Sequence, residues 1–204
     1  MPEMVAPATL DRVRAAVRSL GYVPNPAAQA LASARSPVIG VIIPSVTNSV
    51  FSELLRGVMD ATEDTAFQPP SVNTRYVSRH EDELVRLFAT QTPAGMIVAG
   101  TDQSPEARQL LAGMGCPVVQ VMEIGPDPID MMIGCDQVAG ARAAVRHMLE
   151  QGCRRIGFLG ARMDPRAQRR LHGYRQEIEA EGLAAPARVL TTPQPSAVTV
   201  GRRL

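Results

Sequence analysis

Not one lysine occurs among the 204 residues; all 21 basic positions are arginine. A Gly-Lys-Ser phosphate loop, a lysine Schiff base and a lysine general base are therefore excluded. No apolar run reaches the roughly 20 residues of a membrane span, and Met1–Leu10 lacks a basic region followed by an apolar stretch, so the expected compartment is the cytoplasm. Cysteine is scarce. Cys116, Cys135 and Cys153 are odd in number and widely spaced, with no second cysteine or histidine at metal-ligand distance, which predicts inert buried thiols. His80, His147 and His172 stand alone and take no role. There is no Gly-x-Gly-x-x-Gly fingerprint and no nucleophile elbow. An enzyme is not expected, and nothing in the chain calls for a cofactor or a metal. The formal net charge of +1 also rules out DNA binding by the molecule's overall field.

What is present is a soluble globular composition, 45% hydrophobic and 20% charged, with length for one large core or two small ones. Leu10, Val13, Val17 and Leu20 share one helical face, predicting a short helix from Thr9 to Leu20 that stops at Gly21. After Pro37, strands and helices alternate. Val38–Ile43 is a continuous apolar run suited to a central parallel strand, and Asn48 or Ser49 opens a helix carrying Phe51, Leu54, Leu55, Val58 and Met59. Val72–Tyr76 is the second strand, and Pro69 and Pro70 before it confine it to a sheet edge. Ser78 and Glu81 form a capping box for a helix with Leu84, Leu87 and Phe88 inward. Met96–Ala99 and Pro117–Met122 are the third and fourth strands, separated by a helix that Ser104 and Pro105 start. A proline-rich crossing at 124–130 leads to a second run of the same kind. It comprises Met131–Cys135, a helix over 138–151, a strand over 155–159, a helix capped by Asp164 over 165–181, and a strand near 188–191. Such an α/β fold places ligands beyond the carboxyl ends of its strands.

Residues 20–33 join the first helix to another of distinct character. Asn25 suits an N-cap and Pro26 the first helical position, and Ala27, Ala28, Ala30 and Ala32 leave Leu31 as the one bulky side chain. A single wedge on a smooth helix fits insertion into the minor groove; an ordinary linker helix with Leu31 packed on a neighbour is the alternative.

This segment resembles the hinge of the lactose-repressor (LacI/GalR) family, and the likeness continues over residues 9–204. Ile39–Pro44 with Asn48, Phe51 and Glu53 resembles the family's first core strand and the loop after it. Gly134, Cys135, Asp136, Gln137, Ala139 and Gly140 resemble its valine-glycine-x-aspartate-asparagine segment. Gly152 to Gly160 resembles the next strand with its basic approach, and Arg170, Leu171, Gly173 and Tyr174 the arginine-leucine-x-glycine-aromatic signature. Around Val72–Tyr76 and Gly160–Arg170 the likeness is nearest to regulators of gluconate utilisation.

The resemblance implies periplasmic-binding-protein-like parallel sheets in two lobes, the second incomplete, preceded by a remnant all-α DNA-binding headpiece and a hinge helix. The implied domains are a headpiece remnant at 1–24, hinge and linker at 25–37, a first lobe at 38–123 and a partial second lobe at 124–204. Tyr22, Asn25, Ala28 and Leu31 are then the DNA-contacting residues. Ser45, Asn48 and Phe51 would face a small sugar or sugar-acid effector from the first lobe, and Asp136, Arg166 and Arg170 from the second lobe or the connection. Arg170 suits a carboxylate, which a guanidinium grips with two parallel bonds. Phe51 also has a core reading, Asp136 a helix-capping one, and Arg166 and Arg170 with Arg169 that of a solvated face. The implied function is a homodimeric, operator-binding transcription regulator, and the alternatives are a sugar receptor for transport or an enzyme on a doubly wound sheet.

Two departures bear on DNA binding. Met1–Ala8 is too short for the helix-turn-helix that precedes this first helix in the family, and the stop at Leu204 leaves the second lobe unfinished. The 204 residues are therefore expected to bind DNA weakly, without sequence preference and with strong salt sensitivity. A gel-shift titration checks this, and nanomolar sequence-selective binding would contradict it.

Overall fold

A computed structural model describes residues 6–23, 36–183 and 188–196. Asn25, Ala28, Leu31 and most of the expected hinge lie outside the described residues. Helix α1 runs over Pro7–Ser19, two residues earlier than its apolar spacing suggests, because Pro7 takes the first helical position. None of its residues is buried.

The elements that follow are β1 (Ile39–Ile43), α2 (Ser49–Thr62), β2 (Ser71–Asn73), α3 (Ser78–Ala89), β3 (Gly95–Ala99), α4 (Pro105–Gly113), β4 (Val118–Glu123) and β5 (Met131–Cys135). The five strands form one parallel sheet in the order β2-β1-β3-β4-β5. Both faces of its centre are covered, which is why β1 reads as an unbroken apolar run. Ile42, Met96, Val98 and Val118 pack against Val85 and Phe88 of α3 and Ala107 and Leu111 of α4. Val41 and Ile43 face the other way, onto Phe51, Leu54, Leu55 and Val58 of α2.

Several helices open as their sequences predict. Asn48 accepts from the Val50 amide at 3.1 Å, Ser104 from Ala107 at 3.0 Å and Asp164 from Ala167 at 2.9 Å. Strand β2 lies at the edge that its preceding prolines demand, but it ends at Asn73 because Arg75 and Tyr76 adopt left-handed backbone angles, φ 54° and 61°. The capping box at Ser78 does not form. Val77 is the N-cap without a side-chain bond, and the Glu81 carboxylate turns inward to accept from Gln103 Nε2. Burial pushes the Glu81 carboxyl above its ordinary value, with repulsion from Asp82 and Asp102 adding to the shift against the Gln103 bond. The inner face of α3 then falls on Leu84, Val85 and Phe88 rather than on Leu87, which is half exposed.

One correction changes the architecture. Met131–Cys135 does not open a second run; it pairs in parallel with β4, Val119 opposite Met131 and Glu123 opposite Cys135, and closes the first sheet. A helical crossover is unnecessary here because seven extended residues reach about 23 Å, whereas six-residue β4 is about 20 Å long. Two side chains, Asp130 and the buried Gln120, hold this extended return. Gln120 Oε1 accepts from the Ile129 amide at 2.8 Å, and Asp130 accepts from Val118 at 3.0 Å.

The second unit contains α5 (Gln137–Glu150), β6 (Phe158–Ala161), α6 (Pro165–Ala180) and β7 (Val189–Thr192), with β6 and β7 paired in parallel. Val145, Leu149, Ile156, Tyr174 and Ile178 form its core. Helices α5 and α6 approach so closely at Gly173 that a Cβ there would overlap the Val138 carbonyl oxygen. On the same interface Glu177 accepts from Arg142 Nε at 3.0 Å and Arg146 Nε at 2.7 Å. These two bonds outweigh desolvation and hold the Glu177 carboxyl below its ordinary value. A depressed folded-state pKa gives stability that is complete above the unfolded value of about 4.3 and is lost as pH falls through the lower folded value. Glu177→Gln should therefore be less stable than the parent at pH 7, with the difference shrinking steadily below about pH 4.3. Urea denaturation across that range measures it.

Candidate functional site

The carboxyl ends of β1, β2, β4 and β6 open onto one cleft of about 1100 Å³. The loop Pro44–Phe51, with Asn73, Arg75, Tyr76 and Met122, forms the side that belongs to the first sheet. The opposite side is Gln137, the strand and turn Phe158–Arg162, Asp164, Arg166, Ala167 and Arg170, with Pro195 and Ser196 at the margin.

Five of the six residues expected at an effector site line this cleft. Ser45 sits in the β1–α2 loop, where its Oγ accepts from the Asn48 amide at 3.2 Å and tightens the turn. Asn48 caps α2 through its side-chain oxygen. Phe51 is 2% exposed in the core beneath α2, as its core reading expects, and it also lines the cleft. The Arg166 guanidinium carbon stands 5.5 Å from the centre of the Phe51 ring, with Asp164 at 3.9 Å. Arg170 Nη1 donates to Gln137 Oε1 at 3.1 Å.

Asp136 is the exception. Its Oδ1 accepts from Val138 at 2.8 Å and Ala139 at 3.0 Å, capping α5, and it does not line the cleft. The neighbouring Gln137 takes the place expected of it. Tyr22, the one expected DNA contact within the described residues, is exposed just beyond α1.

Three of the lining residues that went unpredicted stand out. Arg75 and Tyr76 follow β2 and Arg162 follows β6; all three have left-handed backbones, and Arg162 lies 4.1 Å over the Tyr76 ring. Their positions at strand ends were the available signal. Four arginines thus line the cleft against one aspartate, a surface that favours an anionic ligand.

Arg169 was also passed over. It sits on α6 outside the cleft lining and binds two carboxylates of the first unit. Its hydrogen bonds to Asp102, and next those to Glu123, raise its pKa beyond that of a free guanidinium. Among the described residues no group of three His, Cys, Asp or Glu side chains is placed to hold a metal ion. No helix among them is long and apolar enough to cross a membrane.

Parallel sheets with a cleft at their strand ends define the class, and residues 36–196 match the family described as periplasmic binding proteins and sugar binding domain of LacI family. The chain belongs to that family. The transcriptional regulator GntR of Pseudomonas aeruginosa is 33% identical over 200 residues, covering 98% of this chain and 58% of that regulator. The crystal structure of a LacI family transcriptional regulator from Silicibacter pomeroyi is 38% identical, with a TM-score of 0.88 over 98% of this chain and 60% of that one. GntR from Chromobacterium violaceum gives 32% identity and a TM-score of 0.74, over 81% of this chain and 61% of that one. The chain therefore spans somewhat under two thirds of these relatives.

The geometry separates capping from ligand contact at Asp136. Asp136→Ala should cost about 1 kcal/mol of stability as a lost N-cap and leave anion affinity of the cleft unchanged. Thermal melting and calorimetric titration of the variant check the two halves; a selective loss of affinity would return Asp136 to the site.

Proposed function

We propose that this chain is the sensing part of a transcription regulator and that its cleft takes a small sugar acid. The observation that carries this reading is the set of Arg75, Arg162, Arg166 and Arg170 around a cleft that also presents the polar loop Ser45–Asn48 and the Phe51 ring. A sugar acid offers a carboxylate to the guanidinium groups, hydroxyls to the loop and C–H faces to the ring. Arg170 holds the carboxylate, Arg166 supports it from its stack on Phe51, and Ser45 and Asn48 pair with hydroxyls.

In the whole protein this sensor would govern operator binding by a homodimer in the cytoplasm, with Tyr22, Asn25, Ala28 and Leu31 at the DNA. The named relatives at 33% and 38% identity are transcriptional regulators, which supports a regulator over an enzyme. The family description also covers periplasmic receptors, so a receptor without a regulatory role is the second reading.

Calorimetric titration of the chain with D-gluconate and with sorbitol, its uncharged six-carbon counterpart, tests the proposal. Gluconate should bind at least about tenfold more tightly, since a charged hydrogen-bonded pair contributes about 1.5–3 kcal/mol. Arg170→Gln should abolish that preference while leaving the melting temperature within a few degrees. Equal binding of the two ligands would overturn the sugar-acid reading.

A further inference from the structure

Arg169 and Arg170 are neighbours on α6, yet they are engaged in different ways. Arg170 gives one hydrogen bond to a neutral amide, that of Gln137, and lines the cleft. Arg169 is saturated. Its Nη1 and Nη2 donate to the two oxygens of Asp102 at 2.9 and 2.6 Å, its Nε donates to Glu123 Oε1, and its Nη2 donates to Glu123 Oε2 at 2.9 Å. Asp102 lies just beyond β3, whereas Glu123 is the last residue of β4 and is 2% exposed.

Both arginines lead to the same point. Gln137, the partner of Arg170, donates from Nε2 to the Met122 carbonyl, one residue before Glu123. Met122 has a left-handed φ of 80°. Opposite it on β5, Gly134 lies so close to the backbone of Met122 and Glu123 that no side chain fits between the strands. The end of β4 is thus strained, tightly packed and tied to both helices of the second unit, to α6 through Arg169 and to α5 through Gln137.

We propose that Arg169 is a positioning residue for ligand binding, and that its clasp on Asp102 and Glu123 makes the end of β4 the pivot between the two units. The proposal rests on the reading that the cleft binds an anion. A ligand carboxylate outcompetes the neutral Gln137 oxygen for Arg170, because it adds the attraction of a full negative charge and accepts two parallel bonds where the amide oxygen accepts one. Gln137 is then released from α6 while still bonded to Met122. Arg169 contacts no part of the cleft, so its clasp persists and keeps α6 seated on the first sheet. Displacement at Arg170 becomes rotation about Glu123 instead of separation of the units. Lysine could not substitute, since one ammonium cannot meet two carboxylates each with two bonds.

The test uses the whole chain carrying spin labels at Asp60 on α2 and Glu179 on α6, both exposed, in a cysteine-free background. In the parent the distance distribution between labels should be narrow and should shift when D-gluconate is added. Arg169→Gln should broaden it, remove the shift and weaken gluconate binding at least tenfold. Because that variant leaves Glu123 buried without its cation, it should also melt early, so Arg169→Gln with Glu123→Gln is the companion. The double variant should regain the parental melting temperature but neither the narrow distribution nor the affinity. Asp102→Asn should weaken binding about threefold with little change in melting.

A double variant that regains affinity along with stability would overturn the proposal, as would Arg169→Gln with parental distances and affinity. If the parent itself binds no gluconate, the anion reading of the cleft fails. The label distances then still decide on the clasp, with broadening in Arg169→Gln supporting it and an unchanged distribution refuting it.

Discussion

A parallel sheet covered on both faces leaves its strand ends as the places where polar groups meet solvent, and this constraint organises the whole molecule. The apolar runs of β1, β3 and β4 are consumed by packing against α2 on one side and α3 and α4 on the other. What remains for chemistry is the chain just past each strand: the loop after Ile43, the turn at Arg75 and Tyr76, the end of β4 and the turn at Arg162. Left-handed backbone angles gather at these points, at Arg75, Tyr76, Met122, Arg162 and Met163. Such conformations cost about 1–3 kcal/mol each in side-chain-bearing residues, and tertiary contacts hold them. Tyr76 and Arg162 are stacked on one another, and Met122 is enclosed by Gly134 and the Gln137 bond.

Three of the contacts between the first sheet and the second unit share one chemistry. Arg162 stacks on Tyr76, Arg166 on Phe51, and Arg169 clasps Asp102 and Glu123. The guanidinium group suits all three tasks because it is planar, weakly hydrated for a cation and armed with five donors. Stacking leaves its edge donors available to a ligand, whereas two carboxylates occupy nearly all of them. The same residue type thereby yields two arms on the cleft and one structural tie, and the partner decides which.

Periodicity and capping residues carried most of the fold. The continuous run at Val38–Ile43, the caps at Asn48, Ser104 and Asp164, and the prolines before β2 all act within a few residues, so their effect is visible along the chain. What depended on distant partners was not. Glu81 has the spacing of a capping box, but Gln103, 22 residues away, draws its carboxylate inward. Met131–Cys135 looks like the start of a second run until buried Gln120 and the Asp130 carboxylate are seen to hold an extended return. The site was legible to the same degree. Ser45, Asn48, Phe51, Arg166 and Arg170 follow from strand ends and a family motif, while the choice between Asp136 and Gln137 turned on which side chain the cap would use. Nothing local marks Arg169, because its two partners lie 46 and 67 residues away.

The complete replacement of lysine by arginine has a consequence at the cleft and the clasp alike. A guanidinium keeps its proton far above any acidity a cell reaches, and it offers no primary amine to acetylating or carbamylating reagents. The positive groups that line the cleft and join the two units are therefore indifferent to metabolic acylation. What can compete with them is other dissolved anions, which screen charged contacts that covalent amine chemistry leaves untouched.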